Sequence, residues 1–88
     1  MTARWRLTVE ESFSIRGRGT VVVGTLAGTG HNEAAVVTTP GGQSFHVAQA
    51  VFDVPRQSKR GEMRFGVFLG AIDHKQLKPG TIVEPSDP

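Results

Sequence analysis

The sequence predicts an all-β domain, a small closed antiparallel barrel of six or seven strands with Greek-key connections. Three observations carry that prediction. Apolar residues recur with a period of two rather than 3.6. Turn residues, chiefly Gly and Pro, break the chain at intervals of about 8–12 residues. No stretch has the length and spacing of an amphipathic helix. Closing such strands into a barrel also removes the unpaired edges that make open sheets associate.

Each element follows from its own residues. Trp5, Leu7 and Val9 alternate with Arg4, Arg6 and Thr8, which defines a half-buried strand with Trp5 inside. Phe13 and Ile15 continue the same odd-numbered face, and Glu11 interrupts it. A bulge is therefore expected near Glu10–Ser12. Core packing is the expected role of Phe13, with stacking on a base as the alternative. Gly17-Arg18-Gly19 marks a turn, since glycine tolerates positive φ. The β-branched run from Thr20 to Leu26 reads as a strand buried on both faces. After a Gly28–Asn32 loop, Ala34–Thr39 forms a third strand that stops at Pro40-Gly41-Gly42.

Gln43–Asp53 reads as a longer fourth strand, with Phe45, Val47 and Val51 on one face and Ala48, Ala50 and Phe52 on the other. Val54–Glu62 is a polar connector. Met63–Leu69 is the next strand. Asp73–Leu77 is a short helical turn ended by Lys78-Pro79-Gly80, and Thr81–Glu84 is the last strand. Pro85–Pro88 is expected to be a loose tail, so one domain fills residues 1–88 with its ordered core from about 4 to 85.

Composition narrows the function classes. With no cysteine there is no disulfide framework and no thiolate metal site. Apolar runs are short, such as Val21-Val22-Val23, so no helix is expected to span a membrane, and residues 1–6 show no apolar leader segment. The expected location is the cytoplasm. Ten Lys and Arg against eight Asp and Glu give a net charge of only +2. The high isoelectric point of about 9.7 reflects the absence of tyrosine and cysteine, which would otherwise titrate below lysine. Bulk charge does not by itself argue for nucleic acid; only a local cluster could.

Catalytic and cofactor motifs are missing. Gly17-Arg18-Gly19 lacks the third glycine of a dinucleotide fingerprint, and Val22 stands in that place. Gly61 and Gly66 have P-loop spacing, but Val67 and Phe68 replace the lysine and hydroxyl residue that such a loop requires. His31, His46 and His74 show no metal-ligand spacing, and Ser44 beside His46 is the kind of pair that chance supplies. Adjacent Glu10 and Glu11 point to opposite faces of a strand unless a bulge rotates one of them. The chain is therefore expected to be no enzyme and to hold no cofactor, metal or nucleotide. Two basic groups remain. Arg4, Arg6, Arg16 and Arg18 flank the first strand and turn, and Arg56, Lys59, Arg60 and Arg64 lie in and after the connector. Arginine forks suit phosphate oxygens, so both groups are candidates for RNA backbone; the alternative is a solvated surface.

The run from Phe13 to Gly24, FSIRGRGTVVVG, resembles the opening of the second domain of translational GTPases such as elongation factor Tu, where it reads F-S-I-x-G-R-G-T-V-V-T-G. Gly66-Val67-Phe68-Leu69, Ile72 and the stretch from Leu77 to Val83 are similar to the end of that domain. The resemblance extends from about Leu7 to Pro85 and implies the same closed barrel. The GTPase domain that precedes it in that family has no counterpart here, so the resemblance implies a barrel module standing alone, without GTP hydrolysis.

It also implies partners. Glu10, Glu11 and Phe13 match the E-D-x-F stretch that lines the family's aminoacyl-tRNA pocket. Val23 replaces the threonine beside that pocket, Ala50 stands where a glutamate meets the terminal ribose, and Arg64 falls near a pocket asparagine. Other family members set the barrel against ribosomal RNA. The expectation is a weakly binding module for ribosomal RNA or tRNA, with Arg16, Arg18, Arg56, Lys59, Arg60 and Arg64 as contacts. The alternative is a protein-interaction barrel that docks on a partner protein or on itself.

Overall fold

The computed structural model describes residues 4–52, 56–57 and 63–86. Seven strands follow one another: β1 (Trp5–Ile15), β2 (Gly19–Gly28), β3 (Glu33–Thr38), β4 (Ser44–Phe52), β5 (Arg56–Gln57), β6 (Met63–Gly70) and β7 (Ile82–Pro85). A single 3-10 turn, His74–Gln76, precedes β7. The strands pair in the order β2-β1-β7-β3-β4-β6-β5, and β6 pairs back onto β2. Six strands thus close an antiparallel barrel, and the short β5 extends the hairpin on β6. The period-two pattern and the turn spacing anticipated this architecture.

Inward side chains fill the barrel. Trp5, Leu7 and Val9 of β1 meet Val22, Ala35, Val37, Val47, Ala50, Val67 and Val83. Each large side chain removed from water this way contributes about 1.5–3 kcal/mol against the entropy of ordering the chain. At one end Trp5 stands edge-on to Phe52 at 4.9 Å between ring centroids, and Phe52 stands edge-on to Phe65 at 6.4 Å. At the other end Leu77, fully buried, comes in from the loop before β7.

The bulge expected in β1 is present. The register with β2 runs from Val9↔Gly24 to Glu11↔Val23, leaving Glu10 as the extra residue. Its consequence differs from the sequence expectation. One inserted residue exchanges the two faces of everything beyond it. Ser12, opposite the core residue Val22, now faces in, and Phe13 is turned outward at 42% exposure. Phe13 therefore does not share the face of Val9, and its expected core role is overturned.

β4 makes the same move. Its pairing with β3 shifts between Ala35↔Val47 and Glu33↔Ala50, so β4 spends three residues where β3 spends two. Phe45, Val47, Ala50 and Phe52 all turn toward the interior, and Val51 is exposed at 39%. The expected division into two fixed faces fails because a simple alternation has no place for the extra residue. In β2, burial on both faces holds for Thr20–Val22, while Thr25 and Ala27 are exposed. The ordered chain also runs further than expected. Pro85 is a buried strand residue opposite Ala35, and the Ser86 amide donates to the Ala34 carbonyl at 2.9 Å. Asp87 and Pro88 lie outside the described residues.

Two glycines carry the closest backbone approaches. A Cβ on Gly24 would lie 1.9 Å from the Thr8 carbonyl oxygen, which places two backbones in contact beside the bulge. Gly19, at φ +100°, closes the β1–β2 turn against the Gly70 backbone, where a Cβ would lie 2.4 Å from its carbonyl oxygen.

Candidate functional site

The β1 bulge assembles the first polar group. Glu10 and Glu11 come to one guanidinium: Arg64 Nε lies 3.5 Å from Glu10 Oε2, and Arg64 Nη2 lies 3.6 Å from Glu11 Oε1. The Thr25 hydroxyl donates to Glu10 at 2.8 Å. Arg64 Nε is buried and has no hydrogen-bond partner, so charge rather than a directed bond holds the arginine there. Glu11 sits across from Val23, and Phe13 lies two residues along the same outer face. Glu10, Glu11, Phe13 and Val23 are thus brought together. Ala50 is fully buried in the core rather than beside them. Arg64, a candidate phosphate contact, has its charge offset by two carboxylates.

Two more arginines are committed to ion pairs. Arg4 pairs with Glu33, and Arg6 pairs with Glu84 at 3.2 Å. Glu33 also accepts a hydrogen bond from the Trp5 indole at 2.9 Å. That bond, then the nearby Arg4 charge, hold its carboxyl below the ordinary glutamate value.

The basic side chains outside ion pairs gather elsewhere. Among the described residues these include Arg16, Arg18, Lys75 and Lys78, all exposed. The β1–β2 turn carries the two arginines, and the segment between β6 and β7 carries the two lysines. Tertiary contacts bring these pieces to one end of the barrel. The Thr20 hydroxyl donates to the Ile72 carbonyl, the Ser12 hydroxyl donates to the Leu77 carbonyl at 3.0 Å, and the Gly80 amide donates to the Val9 carbonyl at 2.9 Å. Lys75 and Lys78 also border an open cleft of about 570 Å³ with Pro40 and Gln43 from the β3–β4 turn. The one acid of the Ala71–Gly80 segment, Asp73, accepts a hydrogen bond from the Lys75 amide at 3.0 Å. The Arg18 guanidinium stands 5.9 Å from the centroid of the Phe68 ring on the outer face.

The remaining candidates from the sequence divide. Arg56 lies on β5, across from Arg64 in register. Lys59 and Arg60 lie outside the described residues. His31 and His46 are exposed and separate, and no group of three metal-ligating residues converges among the described residues. No described helix is long and apolar enough to cross a membrane. The sequence reading missed Lys75 and Lys78, since Lys78-Pro79-Gly80 reads locally as a turn. Their signal is only spatial: some 60 residues separate them from Arg16.

The fold and these groups define a small closed β-barrel with one basic end and, on its side, an acidic pair that shares one arginine. Compared with protein-family models, curated proteins and solved structures, the chain finds no match.

Proposed function

We propose that this barrel is a non-enzymatic binding module, of the translation-factor domain-two type, that associates weakly with RNA backbone through its basic end. The observation that carries the reading is the gathering of Arg16, Arg18, Lys75 and Lys78 at one end, while Arg4, Arg6 and Arg64 are neutralised by glutamates. Unpaired cations on turns reach phosphate oxygens without requiring particular bases. Four such groups suit a weak, salt-sensitive contact rather than tight capture of an aminoacyl end. The sequence similarity to translational GTPase barrels over FSIRGRGTVVVG supports the same class of partner.

The test is a titration with ribosomal subunits, total tRNA and a duplex DNA control at two salt concentrations. Saturable binding to subunits or tRNA is expected, with affinity falling as salt rises through counterion release. Binding no stronger than to the duplex control sinks the reading.

A further inference from the structure

The two halves of β4 pair with different neighbours. Its first part pairs with β3, and the bulge between Val47 and Ala50 then bends the strand. Among the described residues, pairing with β6 is confined to Val51↔Phe68 and Phe52↔Val67. Toward the start of β4 the two strands part. An open cleft of about 580 Å³ lies between them, bordered by His46 and Gln49 on one side and by Gly70 and Ile72 on the other.

The parity of the ladder shows what faces this cleft. The Thr39 amide donates to the Gln43 carbonyl at 2.8 Å. Bonded and non-bonded pairs alternate in an antiparallel ladder, so Phe45 and Val47 bond to β3, across from Val37 and Ala35. The backbone amides and carbonyls of Ser44 and His46 therefore point the other way, where no described strand pairs with them. The edge is also unguarded. From Gln43 to Phe52 there is no charged residue and no proline, the devices that keep exposed edges from pairing.

The surroundings restrict the occupant. Val47, Leu69 and Ile72 border the cleft from the core side, and exposed Val51 borders it from outside. No acid, lysine or arginine lines it. At its Gln43 end the same edge meets the cleft that holds Lys75 and Lys78. A strand laid antiparallel to β4, as β3 and β6 are, brings its C-terminal end to those lysines.

We infer that this edge takes an extended peptide that is uncharged along its length, apolar at alternate positions and acidic at its C-terminal end. The peptide adds as a strand antiparallel to β4 and exchanges backbone hydrogen bonds with Ser44 and His46. Alternate side chains enter beside Val47 and Ile72, and the terminal carboxylates meet Lys75 and Lys78. Both lysines also belong to the proposed RNA contact. The backbone pairing does not, so the inference stands apart from RNA binding.

Nuclear magnetic resonance of the full chain tests this by titration with a peptide that alternates valine and threonine and ends in aspartate with a free carboxylate. At about 1 mM peptide, saturable shifts are expected at the Ser44 and His46 amides, and hydrogen exchange at His46 should slow about tenfold or more. The same peptide N-methylated at every valine and threonine keeps its side chains and loses its donors, so it should bind about tenfold more weakly. His46→Pro removes a donor that β3 does not use. Circular dichroism melts should show that variant folded, with peptide affinity lower by about tenfold. Ending the peptide in an asparagine amide, or combining Lys75→Ala with Lys78→Ala, should cost about fivefold. Arg16→Ala, expected to weaken RNA binding, should leave peptide affinity unchanged. No shift at Ser44 and His46, a methylated peptide that binds as well as its parent, or an equal loss of affinity on Arg16→Ala overturns the proposal.

Discussion

The Trp5 indole nitrogen donates to the Glu33 carboxylate at 2.9 Å, tying the start of β1 to the start of β3 across 28 residues. Because this bond and the Arg4 charge favour the ionised form, the carboxyl of the folded protein titrates below the ordinary value of 4.5. A lowered folded value gives stability that is fully present above the unfolded value. That stability is lost as pH falls through the folded one. Wild-type stability from Glu33 should therefore be intact at neutral pH and vanish on acidification below pH 4.5. Glu33→Gln keeps an acceptor for the indole and removes the titration. Urea melts at several pH values should show a flatter acid limb for the variant, and an unchanged acid limb would reject the assignment.

Gly24 stands against the Thr8 carbonyl at a distance no side chain can share. Gly24→Ala must push β1 and β2 apart beside the bulge, at a cost of about 3 kcal/mol or more. Gly41→Ala is the matched control, since the nearest atom to its Cβ, Thr39 Oγ1, is 3.8 Å away. Thermal melts should separate the two variants widely, and equal stability would contradict the close approach.

Phe13 and Leu77 reverse the roles their sequence context suggests. Leu77, in a loop, is fully buried, whereas Phe13, in a strand, is exposed at 42%. Leu77→Ala should cost about 2–5 kcal/mol, as for other buried leucines. Phe13→Ala should cost about 1 kcal/mol or less, in proportion to the smaller apolar area it buries. A larger loss at Phe13 than at Leu77, measured by denaturant melts, would restore Phe13 to the core.

Arg64 and Arg16 should separate in RNA binding. Arg16→Ala or Lys75→Ala should weaken affinity and lower the salt slope by about 0.7 for each single-strand phosphate left without its cation. Arg64→Ala should leave the slope unchanged, because its charge is spent on Glu10 and Glu11. It should cost about 0.5–1 kcal/mol of stability, as is typical of partly exposed ion pairs. A slope that falls equally for Arg64→Ala would place the RNA-binding surface on the side of the barrel rather than its end.

Local chemistry determined much of this molecule. Alternation from Trp5 to Val9, the β-branched run after Gly19, the stops at Pro40-Gly41-Gly42 and Lys78-Pro79-Gly80, and the bulge at Glu10 are all legible in the sequence. Each depends on residues within a few positions of one another. The 3-10 turn at His74–Gln76 falls inside the segment expected to turn. What the bulges do is not local. Whether Phe13 and Val51 end inside or outside depends on which partner residue each strand meets after the inserted one, and only the closed register decides that.

The same reason governs charge. In the sequence Arg4, Arg6, Arg16, Arg18 and Arg64 look alike. Barrel closure sets Glu33, Glu84 and the Glu10–Glu11 pair against three of them, and brings Lys75 and Lys78 to the end where Arg16 and Arg18 remain. The sequence by itself determined the strands and their turns. The tertiary structure decided which cations face solvent unpaired and which apolar residues lie outside, because both follow from contacts between residues far apart in the chain.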